Sequence, residues 1–228
     1  MKKIYITFFF LFCVLITNAQ KDVTKFLGIP VDGSKSEMRR KLISKGFTPK
    51  TVFGEEHLEG EFNGTDVYIM IGTNNNKVWR IVVVDQNSMD EKDIKNRFNR
   101  LVSQFENNER YITPNDFTIP EEENIKFRFY YKTYEAVFYQ KPDETKIDTA
   151  AIRKKIEKEL LSKYSEEELE NPSEEKKQEI QQDFIQSFQD LFINKPVWFR
   201  IEEEKISGKY YIMMFYDNEY NHANGEDL

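Results

Sequence analysis

The stretch EGEFNGTDVYIMIGT, residues 59–73, decides how the chain is built. Asn63-Gly64 is the pair a tight type I′ turn demands, because both central residues must take positive φ. Leu58 and Phe62 alternate with charges before it, and Val67, Ile69 and Ile71 alternate with mixed residues after it. That period of two belongs to strands with one face buried. An antiparallel hairpin is therefore expected here, and the rest of the fold grows outward from it.

Downstream, NNNKVWRIVVVD (74–85) gives a second turn and a strand that is apolar on both faces. Upstream, GSKSEMRRKLISKGF (33–47) places Ser34 three residues before Glu37, the spacing of a reciprocal helix cap. Met38 and Leu42 share one helical face, and Gly46 supplies the left-handed stop. A second helix is expected near 89–107. Ser88 and Glu91 repeat the capping spacing, and Ile94, Phe98, Leu101, Val102 and Phe105 form a stripe of helical period.

The stretch IKFRFYYKTYEAVFYQ (125–140) is expected to form two strands, or one long bent strand, and it is greasy on both faces. A strand with one face in water alternates apolar and polar residues, so something must cover the second face. PVWFRIEEEKISGKYYIMMFYD (196–217) reads as a final hairpin turning at Ser207-Gly208.

Residues 143–194 differ in character. They hold 14 acidic and 8 basic side chains in 52 positions, lack glycine, and have Pro172 as their one proline. Stripes at Ile152, Ile156, Leu160 and Tyr164, and at Ile180, Phe184, Phe188, Leu191 and Phe192, predict two antiparallel helices rather than a disordered acidic tract.

The first nineteen residues carry Lys2 and Lys3, an apolar run from Ile4 to Ile16 and a small residue at Ala19. This is the pattern of a cleaved secretory signal, too short to span a bilayer. Removing nineteen of the 228 residues leaves 209, enough for one sizeable core or two small ones, and moves the formal charge from −7 to −9. Cys13 leaves with the signal, so disulfides and thiol catalysis are excluded from the mature chain. The acidic balance argues against nucleic acid and anionic membrane as partners. No later apolar run reaches spanning length.

Chemistry-bearing patterns are sparse. His57 lies among Glu55, Glu56 and Glu59, and His222 lies in a polar tail. Histidine clusters for zinc, nucleophile elbows and phosphate loops are missing; no glycine occurs between Gly72 and Gly208. Asp217, Glu219 and Asn221 alternate as calcium ligands do, but Gly225 falls in the wrong place for the standard loop. No cofactor and no metal are expected. The remaining signal is aromatic. Tyr130, Tyr131, Tyr134, Tyr139, Tyr210, Tyr211 and Tyr216 fall on the expected later strands, and tyrosine is favoured where a ring is covered and a hydroxyl stays wet. These seven are the candidate binding residues. Two readings follow: the charged helical pair is their cover, or the face stays open for a partner.

The order of elements repeats: a helix near 34–45 and about four strands to Asp85, then a helix near 89–107 and about four strands to Asp217. Tyr68-Ile69-Met70 and Tyr211-Ile212-Met213 echo one another. The expected organisation is α+β: a signal peptide (1–19), a first helix-plus-antiparallel-sheet unit (20–87), a second (88–217) interrupted by the 143–194 insert, and a polar tail (218–228). This order resembles the tandem modules of beta-lactamase inhibitory protein, a family that binds proteins across a concave, aromatic-rich sheet. Those inhibitors carry disulfides that this chain lacks, and no inhibitory residue carries over. FLGIPVDGSKSEM (26–38) and YDNEYNHANGEDL (216–228) resemble segments of uncharacterised secreted proteins of Gram-negative gut anaerobes. In that company Asp148-Thr149-Ala150 looks like an O-glycosylation acceptor triplet. The resulting expectation is a secreted, periplasmic or extracellular, non-catalytic protein that binds a protein or glycan of the envelope. A carboxylate-based hydrolase of glycan or peptidoglycan, or a structural envelope component, are the alternatives.

Overall fold

The computed structural model describes residues 22–52, 54–113, 115–128, 131–143, 149–170, 172–173, 176–180, 183 and 194–222. The chain enters through a short hairpin, β1 (Lys25–Phe26) and β2 (Ile29–Pro30), and passes into helix α1 (Lys35–Ser44). Ser34 caps α1: its hydroxyl accepts from the Glu37 amide while the Glu37 carboxylate accepts from the Ser34 amide. Gly46, at φ +100°, turns the chain out of the helix. Strands β3 (Thr48–Val52), β4 (Glu55–Phe62), β5 (Thr65–Asn74) and β6 (Lys77–Asp85) follow as a meander. Asn63 and Gly64 have φ of 53° and 71°, and Asn75 and Asn76 have 47° and 60°, so both connections are the expected tight turns.

Helix α2 (Glu91–Glu106) comes next. Asp90, not Ser88, is its cap: the Asp90 carboxylate accepts from the Asp93 amide, and Ser88 instead donates to Glu204. The buried stripe is the expected one with Arg97 added: Ile94, Arg97, Phe98, Leu101, Val102 and Phe105. Beyond β7 (Tyr111–Ile112), residues 125–128 form a short helix, α3 (Ile125–Arg128), not a strand. The cause lies in α2, whose side chains take up the backbone of this stretch. Asn99 exchanges two hydrogen bonds with Ile119, Lys95 reaches the Glu121 and Glu123 carbonyls, and Glu91 accepts from the Ile125 amide. With those groups satisfied the segment lies along α2 and leaves the sheet to β8 (Glu135–Gln140).

The insert contains α4 (Thr149–Lys163) and α5 (Glu166–Glu170), with further helix at 176–180. Lys163 pairs with Asp183 at 3.0 Å and the Tyr164 hydroxyl donates to the same carboxylate, holding the two helical arms together. Ile156 is buried. Asp148, Asn171, Phe184, Phe188, Leu191 and Phe192 lie outside the described residues. The chain closes with β9 (Pro196–Glu204) and β10 (Lys209–Asp217).

All eight longer-range strands form one antiparallel sheet in the order β3-β4-β5-β6-β10-β9-β8-β7, so the fold is α+β. Among the described residues, α1 lies over β5 and β6, and α2 lies over β10, β9 and β7 on the same face. Met38 and Leu42 meet Val67, Ile69 and Ile81 in a continuous core with Phe98, Phe138, Phe199, Ile212 and Met214. Each such side chain contributes about 1.5–3 kcal/mol of burial, and no disulfide is needed to close a core of this size. Tyr68 lies in the third strand after its helix and Tyr211 in the fourth, so the three-residue echo does not join equivalent strands.

Candidate functional site

Strand alternation sorts the seven candidate tyrosines. On β10, Tyr210 and Tyr216 share the parity of Ile212 and Met214 and point under α2; they are 2% and 4% exposed. Tyr134, just ahead of β8, is equally buried, with its hydroxyl on Glu123. These three are core residues, not a binding surface. Tyr131 is 88% exposed but occupies a turn, not a strand. Tyr130 lies outside the described residues. Tyr139 and Tyr211 alone occupy strand positions on the face away from both helices.

That face carries more than the two tyrosines. Reading across the ladder, Phe215 lies between Val82 and Trp198, and Trp198 is opposite Val137. One pair along, Met213 lies between Val84 and Arg200, and Val84 is opposite Tyr68. Met70, opposite Val82, is 40% exposed. Trp198 and Phe215 stack with centroids 3.8 Å apart and planes 13° from parallel, and Phe215 is buried, 5% exposed. Arg80 lies beside them, its guanidinium 4.2 Å from the Trp79 ring and 5.0 Å from Phe215. Asp217 fixes it with two hydrogen bonds of 2.6 Å and also accepts from the Trp198 indole at 2.8 Å. A planar cation between rings, locked by a bidentate carboxylate, is a rigid platform whose side chains lose little entropy on binding.

Toward the β9–β10 turn the platform becomes acidic. Tyr211 faces Glu202 across the ladder, and Glu202 pairs with Arg200. Burial pushes the Tyr211 hydroxyl up, and the Glu202 and Glu204 charges push it further. At the far margin His57 meets Tyr68 edge-on at 4.9 Å, with Glu59 within 3.4 Å of its ring nitrogen. His57 is thus half-covered on the same face rather than a plain surface residue.

The sequence reading missed Trp198, Phe215, Arg80, Tyr68 and Met70. The signal was present as parity: Trp198 and Arg200 alternate with Val197, Phe199 and Ile201, just as Tyr211 and Met213 alternate with Ile212 and Met214. Choosing candidates by residue type, tyrosine alone, rather than by strand parity hid it.

The segment after β10 is anchored. Asn218 is fully buried, accepts from Tyr220, and donates to the Val31 carbonyl; Asn221 donates to Asp32 and to the Val78 carbonyl. The His222 ring packs 4.6 Å from Trp79. Asp217 and Asn221 are therefore spent on side-chain contacts, and no metal-holding group of acids and histidines occurs among the described residues.

On the opposite side of the sheet, a cleft of about 850 Å³ opens between the β1–β2 turn and the C-terminal end of α2. Phe62, Met214 and Tyr216 line it from the sheet and Leu101 and Phe105 from α2. The Tyr111 oxygen accepts from the Gln140 amide at 3.1 Å, and its hydroxyl pairs with that of Tyr216. Burial, with Tyr111 beside it, pushes Tyr216 well above the usual phenol range.

Comparison with protein-family models, with characterised proteins and with solved structures finds no match for the chain. Among the described residues, no helix is long and apolar enough to cross a membrane.

Proposed function

We propose that this is an exported, non-catalytic protein of the cell envelope that works by binding another protein across the sheet face away from α1 and α2. The observation that carries the proposal is the half-buried Trp198–Arg80 platform, supported from below by buried Phe215 and flanked by Tyr68, Met70, Tyr139 and Tyr211. Tryptophan, tyrosine and arginine, rigidly held and ringed by charge, are the residue types that dominate protein–protein recognition. A glycan is the second ligand class that such rings suit. Export rests on the Lys2-to-Ala19 pattern, and the compartment is periplasmic or extracellular.

Within the same proposal, the molecule is two helix-plus-four-strand units in tandem. Each begins with a capped helix, and their last strands, β6 and β10, pair at the centre of the sheet. The mirrored strand order on either side of that pair supports an internal duplication. The insert falls between the second and third strands of the second unit.

A carboxylate hydrolase is less well supported. Among the described residues, the carboxylates whose pKa moves clearly, Asp116, Glu168, Asp183 and Glu204, all move down, each held by a hydrogen bond. A general acid needs the opposite shift.

The test replaces side chains that protrude without supporting the platform. Tyr68→Ala, Met70→Glu and Tyr211→Ala should each leave the melting temperature within a few degrees while abolishing capture of the envelope partner in a pull-down. Retained capture by all three, with folding intact, would sink the proposal.

A further inference from the structure

Toward the β4–β5 and β9–β10 turns, the sheet face away from α1 and α2 holds three features that folding alone does not explain. The first is a like-charge pair. Glu61 and Asp66 stand opposite one another across the β4–β5 ladder, and both are exposed. Alternation puts them on the face of Glu59 and Tyr68, the pair two residues along. Like charges placed opposite across an antiparallel ladder destabilise it. Among the described residues neither carboxylate has an ion-pair partner.

The second is the balance of charge around that pair. Six carboxylates on this half of the face, Glu59, Glu61, Asp66, Glu135, Glu202 and Glu204, meet three cations, Lys50, Arg200 and Lys209. Each cation is already matched: Lys50 is 3.8 Å from Glu59, Arg200 pairs with Glu202, and Lys209 lies opposite Glu204. Arg110 and Lys141 alternate to the same face only beyond Tyr139, at its other end.

The third is an open concavity of about 590 Å³ with a tyrosine on each side. Tyr68 on β5 and Tyr211 on β10 flank Val84 on the intervening β6. They are two interstrand spacings apart across the sheet, about 9.5 Å, and offset by two residues along it. Glu202, Glu203 and Glu204 belong to the lining, with Lys205 as its one cation; Asp85, also there, is committed to Arg97. Ile206, fully exposed at the β9–β10 turn, completes the rim. Rings about a gap, carboxylates at its edge and a bare aliphatic side chain suit a cation on a hydrocarbon stem.

Resting on the docking reading above, we infer that this end of the face receives a basic segment of the partner protein. A lysine or arginine side chain enters between Tyr68 and Tyr211, its stem against Val84 and Ile206 and its charge toward Glu202 and Glu204. A second basic residue relieves the Glu61–Asp66 pair. Such complementarity makes association sensitive to salt.

An acetylated Gly-Arg-Gly-Arg-Gly amide and its citrulline counterpart test the inference on the mature chain, followed by amide chemical shifts at low and physiological salt. Saturable binding of the arginine peptide is expected, with shifts centred on Tyr68, Val84 and Tyr211, weakening with salt and absent for the citrulline peptide. Tyr211→Phe should retain the binding and Tyr211→Ala lose it. Glu61→Gln with Asp66→Asn should weaken it about fivefold while raising the melting temperature, since the opposed charges are gone. Poorer binding by a more stable protein is a result that a purely structural role for the pair would not give. Failure of the arginine peptide to saturate, equal binding of the citrulline peptide, or unchanged affinity in the double variant would overturn the inference. Capture of the envelope partner separates this from the docking reading. Capture kept by the double variant but lost by Tyr211→Ala leaves the docking face standing and overturns the basic partner; capture kept by Tyr68→Ala, Met70→Glu and Tyr211→Ala overturns both.

Discussion

Arg97 shows how a single residue fixes α2 on the sheet. It is buried on the helical stripe, and its guanidinium grips the Asp85 carboxylate through two hydrogen bonds at the end of β6. Removing one partner strands the other charge in the core. Arg97→Met should therefore cost about 3–5 kcal/mol in denaturant unfolding, far more than a surface ion pair would. Gly60 acts by size. A Cβ there would meet the Phe47 ring at 2.6 Å, so Gly60→Ala should cost about 1–3 kcal/mol by the same measurement through overpacking.

Tyr216 carries a pH dependence. Its folded-state pKa is raised above the unfolded value near 10, so the fold favours the protonated phenol. That contribution is fully present below pH about 10 and is lost as pH rises toward the folded pKa. Unfolding free energy should fall with increasing alkalinity, and Tyr216→Phe should flatten that limb without moving the acid limb. An unchanged alkaline limb in the variant would assign the effect elsewhere.

At the scale of elements, what the sequence made legible was local. The type I′ turns, the Ser34–Glu37 cap, the Gly46 stop and the α2 stripe each depend on residues within one turn or hairpin, and each occurs where the pattern places it. What stayed hidden was decided at long range. Ser88 and Asp90 are both competent caps, and the distant Glu204 takes Ser88 out of the contest. Residues 125–128 have strand composition, yet side chains of α2 satisfy the preceding backbone and the helix forms instead. Parity shows that Tyr210 and Tyr211 face opposite ways, but only the position of α2 shows which is buried.

The insert belongs to this scale too. Gln140 and Lys195 are joined by a backbone hydrogen bond, and Tyr139 is opposite Pro196, so the two ends of the insert emerge side by side from a β8–β9 hairpin. Replacing residues 144–193 with a short Gly/Ser turn should leave the sheet folded, with β-type circular dichroism and a cooperative melt retained. Loss of cooperative unfolding would mean the helical arms supply part of the core.

At the scale of the molecule, one sheet presents two unlike faces. The helices cover one and leave a cleft between the β1–β2 turn and α2; the other ends in rings, an immobilised arginine and carboxylates. Outside that cleft, stability arguments account for the first face without appeal to a partner. They do not account for half-exposed Met70, Tyr68 and Tyr211 on the face that also carries the stacked Trp198, because proteins in water seldom leave such groups on one surface.

The most direct measurement places a photo-crosslinking amino acid at one position at a time in the native envelope. Met70 and Tyr211 report on the sheet face away from α1 and α2; Asn96 and Arg100, both exposed on the outer side of α2, report on the helical face. A discrete protein adduct from Met70 and Tyr211, and none from Asn96 or Arg100, is the predicted result. Adducts that form equally from all four positions, or only from α2, would contradict it.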